Sequence, residues 1–128
     1  MNFEDEKDYI MRIIKEMVRV LFSLMFGKDY TCVKQEATNK YEVSGKKLDE
    51  LLALADKGNI NEAENLILEG IDYSNKEDLA VAALFYQHLS EMSAQFLEQN
   101  HYSQEEVLEG IQEMMEHAGY SQFFKLME

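Results

Sequence analysis

Between Glu4 and Phe26 the chain carries a segment that, wound as a helix, is apolar around most of its circumference. At about 100° per residue, its polar positions Asp8, Arg12, Lys15, Glu16, Arg19 and Ser23 fall within one arc of about 100°. The remaining arc, near ~260°, is filled by Tyr9, Ile10, Met11, Ile13, Ile14, Met17, Val18, Val20, Leu21, Phe22, Leu24 and Met25. A helix on the rim of a small bundle shows a narrower apolar stripe than this. Such a segment is either the central helix of its domain, or it packs on its own domain with one flank and on something else with the other.

The rest of the composition is helical and globular. The 128 residues fit one domain, and 46% hydrophobic with 29% charged residues is a folding composition. Proline is absent, where average usage predicts about six; because proline breaks helix interiors, its absence favours an all-helical chain. The lone cysteine, Cys32, excludes an intramolecular disulfide and thiolate-rich zinc sites. Met1 to Asp8 holds four acids and one lysine, the opposite of a secretory leader. The longest uncharged apolar run, Val20 to Phe26, is broken by Ser23 and is far short of the roughly 20 residues of a bilayer span. A soluble, cytoplasmic protein is expected.

Net charge is −13, unevenly distributed. Residues 1–47 sum to +1 and residues 48–128 to −14. An acidic body repels phosphate backbones, so no nucleic-acid partner is expected.

Helical periodicity and capping signals set the elements. Helix 1 covers 4–26, and 28–44 is a connector without clear periodicity. A helical hairpin follows over 45–70, with Ser44 as first N-cap and a tight turn at Gly58-Asn59. Its inward residues are Leu48, Leu51, Leu52, Ala55, Ala63, Leu66 and Ile67. Helix 4 covers 76–98, opened by an Asn75/Asp78 capping box, with Gln87, Glu91, Gln95 and Glu98 on its wet face. Helix 5 covers 104–118. Its start is the strongest local signal in the chain: Ser103 and Glu106 have capping-box spacing, and Tyr102 and Val107 that of a hydrophobic staple. Gly119 closes it. A short turn over 121–127 offers Phe123, Phe124 and Leu126 to the core. Leu-Glu-Gly-Ile occurs twice, at 68–71 and 108–111, but the flanking turns align at a different offset, which does not make a repeat. The fold class is therefore all-α: a bundle of five helices plus a short C-terminal turn, with a long N-terminal amphipathic helix and an αα-hairpin in the middle.

Chemistry is harder to place. His88 and His117 lack the Glu-x-x-His spacing of bundle metal sites, and His101 sits in a turn. Glu105, Glu106, Glu109, Glu113 and Glu116 line the outer face of helix 5, where solvent leaves carboxylates without the perturbation that acid–base work requires. No glycine-rich phosphate loop or nucleophile elbow is present. No catalytic, cofactor-binding or metal-ligating residue is assigned, and no cofactor is expected.

Two segments, Asp8 to Asp29 (DYIMRIIKEMVRVLFSLMFGKD) and Leu48 to Gly70 (LDELLALADKGNINEAENLILEG), carry a resemblance. Together they resemble a family of small uncharacterised all-helical proteins of Gram-positive bacteria. The second alone is similar to a tetratricopeptide hairpin, with Gly58 and Glu62-Ala63 in the turn region, but without the Trp-Leu-Gly-Tyr pattern or a 34-residue period. The resemblance implies a helical scaffold and no chemistry.

The expected function is a non-enzymatic interaction module that self-associates, as a homodimer or with another protein, through Met11, Ile14, Val18, Leu21, Phe22 and Met25 of helix 1. An exposed apolar strip on that helix is the corollary. A second reading is a small enzyme or ligand-binding protein with a pocket between helices 1 and 4, its polar groups supplied by Arg12, Tyr86 and His88. A third is a membrane-surface binder, through Arg12, Lys15 and Arg19 on the polar arc of helix 1.

Overall fold

In the computed structural model, which describes residues 3–27, 41–43 and 45–120, the long apolar segment is helix α1 (Phe3–Phe26). It stops where Gly27 takes φ +64° and donates to the Ser23 carbonyl. A two-residue hairpin follows, β1 (Glu42–Val43) and β2 (Lys46–Lys47), turning at Gly45 with φ +76°. The helices α2 (Leu48–Asp56), α3 (Ile60–Gly70), α4 (Lys76–Ser90), α5 (Ala94–Gln99) and α6 (Gln104–Ala118) follow in order among the described residues. One continuous apolar core runs through these six helices and takes Val43 from the hairpin. The all-α bundle read from the sequence is thus the fold. Expectations resting on Cys32, Ser44 or residues 121–127 lie outside the described residues.

The central helix is α4 and not α1. Eleven of its fifteen residues are buried, from Leu79 through Gln87 and then Leu89 and Ser90. Ala80, Ala82 and Ala83 have small side chains, which allow neighbouring helices close approach. Helix α1 lies chiefly along α4 and then along α6, while α6 packs on α4 from another side. Gln87, expected on a wet face, is 6% exposed; so much of α4 is enclosed that this polar position is taken inside with the rest.

Three differences from the expected elements have local causes. The hairpin helix begins at Leu48, not Gly45, because Gly45 to Lys47 turn back as a strand, with Glu42 paired to Lys47 and Val43 to Lys46. Opposite charges at Glu42 and Lys47 favour that register. The long helix expected over 76–98 is two helices. Ser90 Oγ donates to the Gln87 carbonyl at 2.6 Å, and Ser93, in extended conformation, accepts from Phe96 N and starts α5 afresh. The box at Asn75 is half formed: Asn75 Oδ1 accepts from the amides of Glu77 and Asp78 at 2.8 and 3.0 Å, but Asp78 accepts from Asp72 N instead of turning back to Asn75.

Where local signals were explicit, the chain follows them. Ser103 Oγ accepts from Glu106 N at the start of α6, the cap half of the expected box, and Tyr102 and Val107 are both buried. Between α2 and α3, Gly58 N donates to Ala55 O and Asn59 N to Leu54 O, both at 2.9 Å, the bond pair of a Schellman turn. Gly58 has φ +98°, and a Cβ there would collide with the Asn100 carboxamide.

Candidate functional site

The polar centre of the molecule lies between α3 and α6. Glu64, half-buried on α3, accepts hydrogen bonds from two tyrosine hydroxyls on one oxygen: Tyr86 from α4 at 2.7 Å and Tyr102 from the turn before α6 at 3.0 Å. Tyr86 is 2% exposed and reaches Glu64 because its ring passes over Gly110. A Cβ at 110 would stand 2.5 Å from that ring. Asn61, one turn before Glu64, donates to the carbonyls of Asn100 and His101 and ties α3 to the α5–α6 turn, where His101 takes φ +61°. Above this cluster opens a cleft of about 190 Å³, lined by Asn61, Glu64, Tyr102, Glu106, Glu109, Gly110 and Glu113.

The electrostatics of the cleft are one-sided. Burial, reinforced by the negative charge of Glu64, pushes both tyrosine hydroxyls far above their ordinary value. Both hold their protons throughout the physiological range and donate to Glu64. Glu106, Glu109 and Glu113 are exposed carboxylates on the rim. Among the described residues no group of three or more His, Cys, Asp or Glu side chains is placed to hold a metal ion. A second cleft, about 330 Å³, lies on the outer side of the α2–α3 hairpin between Lys46, Glu50, Ala53, Leu54, Lys57, Glu62 and Leu66.

Arg12, Tyr86 and His88 do not converge. Tyr86 points to Glu64, His88 Nε2 meets Asp56 Oδ1 on α2 at 2.6 Å, and Arg12 is exposed on α1. A polar-lined pocket between helices 1 and 4 built from these three is therefore not what the chain forms. The six candidate interface residues also fare differently than expected. Ile14, Val18, Leu21 and Phe22 are wholly buried in the chain's own core, Met25 is 4% exposed, and Met11 is half-buried. Helices α4 and α6 cover that flank.

The apolar surface that α1 does leave outside is its opposite edge. Tyr9 is 56% and Leu24 44% exposed, with Ile13 and Val20 half-buried between them. Glu16 borders this stripe, and Arg12, Arg19 and Lys15 stand progressively farther round the helix, all exposed. Arg19 Nη1 lies 3.4 Å from Glu16 Oε2, and Lys15 Nζ 3.9 Å from Glu91 Oε1 on the cap of α4. The sequence shows one wide apolar arc on α1 but not which side α4 takes, and the flank expected to face outward is the one buried in the core.

Glu64, Tyr102 and Gly110 were likewise not singled out as site residues. The only hint was the glycine inside α6, a helix-weakening residue whose position requires a packing reason. Leu-Glu-Gly-Ile shows two settings: Gly70 ends α3, whereas Gly110 lies mid-helix against a tyrosine ring. Among the described residues no helix is long and apolar enough to cross a membrane.

No curated protein and no solved structure matches the chain. The model of a family of unknown function, DUF6483, matches residues 4–119, nearly the whole sequence, and the chain belongs to that family.

Proposed function

We propose that this protein is a non-enzymatic interaction module that pairs with a second copy of itself through the outer edge of α1. The observation that carries the reading is the stripe Tyr9, Ile13, Val20 and Leu24. It includes two of the three exposed large hydrophobic side chains among the described residues, the other being Leu68 on α3. At 100° per residue the four positions fall within about 60° of one another. Covering such a stripe is favourable by roughly 25 cal/mol per Å² of apolar area.

Charge supports a second copy meeting at this helix. Two chains of net charge −13 repel, but the excess acid is concentrated in residues 48–128, and residues 1–47, which include α1, sum to +1. The polar centre at Glu64 supports a binding rather than a catalytic reading, since one carboxylate oxygen and both hydroxyls are committed to one another.

Sedimentation equilibrium over a range of protein concentrations tests the proposal. A reversible monomer–dimer equilibrium is expected, shifted at least tenfold toward monomer by Leu24→Glu with unchanged helical circular dichroism. A strictly monomeric wild-type protein overturns it. So does a monomer that co-sediments with anionic phospholipid vesicles, which would assign the basic edge of α1 to a lipid surface.

A further inference from the structure

Resting on the self-association just proposed, we infer that the pairing is regulated by ionic strength, in the sense opposite to a contact held by ion pairs: salt tightens it and low salt releases it. The α1 edge has apolar surface to bury but no charge surplus with which to attract a copy of itself. The helix carries four bases against five acids. Glu16, which borders the stripe, faces Arg19 of its own chain, and Lys15 faces Glu91. Exposed pairs of this kind contribute little to holding two surfaces together.

The opposing effect comes from the rest of the molecule. Residues 48–128 sum to −14, and at whatever angle the two helices cross, pairing brings two such bodies within one molecular diameter. Repulsion grows with the product of the two net charges, −13 and −13, whereas a cross-copy ion pair is a product of single charges. The Debye length shrinks from about 14 Å at about 0.05 M salt to about 4 Å at about 0.5 M. A globule of this length has a radius of gyration of about 14 Å. At the lower salt the acidic bodies therefore feel each other across the contact, and at the higher salt they are screened within a layer of side chains. The attraction of buried apolar area does not depend on charge and persists at both.

Sedimentation equilibrium of the full chain in about 0.05 M and about 0.5 M sodium chloride, at one pH, tests the inference. The dimer is expected to tighten at least tenfold at the higher salt. A triple variant, Glu62→Gln with Glu109→Gln and Glu113→Gln, lowers the net charge from −13 to −10. These exposed acids line clefts to which α1 contributes no residue, so they act on the pair only through the field of the whole body. The change cuts the product of charges by about two fifths. The variant should pair at least threefold more tightly than wild type at low salt and within twofold of it at high salt. Leu24→Gln removes apolar area without adding charge and should pair more weakly than wild type at both. A dimer whose affinity is constant or falls with salt overturns the regulation and leaves self-association standing, as does a triple variant no tighter than wild type at low salt. A monomer at both salts, or Leu24→Gln pairing as tightly as wild type, overturns the self-association itself.

Discussion

Glu64 organises its surroundings because a carboxylate drawn partly out of water needs donors, and Tyr86 and Tyr102 provide them on one oxygen. The arrangement has a pH signature. In the unfolded chain a tyrosine loses its proton near its ordinary value of 10.0, but in the fold both hydroxyls keep theirs well beyond it. Above that pH the native state binds more protons than the unfolded state, so stability falls as pH rises. The slope is roughly 1.4 kcal/mol per pH unit for each such tyrosine. Tyr86→Phe should lower stability at neutral pH by about 1–2 kcal/mol and flatten the alkaline decline, as read by urea unfolding between about pH 8 and 11. Parallel declines in the two proteins would mean that the Tyr86 hydroxyl is not held as described. None of this was legible in the sequence, because Glu64 is separated from its two tyrosines by 22 and 38 residues, and no local pattern links positions that far apart.

At the scale of single elements, legibility followed the range of the interaction responsible. The start of α6 was readable because Ser103 and Glu106 settle it within one turn. So was the α2–α3 turn, where Gly58 and its neighbours supply every bond. The break between α4 and α5 was missed because Phe96 and Leu97 continue the apolar side of α4 past it, and Ser93, which falls on that apolar side, was passed over. The structure decides for a cap, in which Ser93 Oγ accepts from Phe96 N at 3.1 Å. Ser93→Ala should therefore cost about 1 kcal/mol, measured by chemical denaturation, whereas a serine in an exposed helix interior would gain slightly from the same change. The β1–β2 hairpin escaped notice for a different reason: two-residue strands are too short to show alternation.

For the molecule as a whole, the decisive arrangement is that α4 occupies the middle and takes one flank of α1 against itself. The width of the apolar arc on α1 was legible; which part of it would be spent on the core was not, because that depends on a helix some sixty residues downstream. Two positions on α1 make the division measurable. Phe22 is wholly buried and Leu24 is 44% exposed. Phe22→Ala should cost about 3–5 kcal/mol, and Leu24→Ala less than about 0.5 kcal/mol, in denaturant unfolding of the same protein. Comparable losses would place Leu24 in the core and remove the outer stripe. Asn61 carries a consequence of the same global kind. Its two bonds reach carbonyls 39 and 40 residues away, so the hollow beside Glu64 has walls contributed by widely separated stretches of chain. It exists only while the last third of the protein stays docked. A guest lodged there would act as a clasp on the whole globule, and a half-opened molecule would have nowhere to receive it.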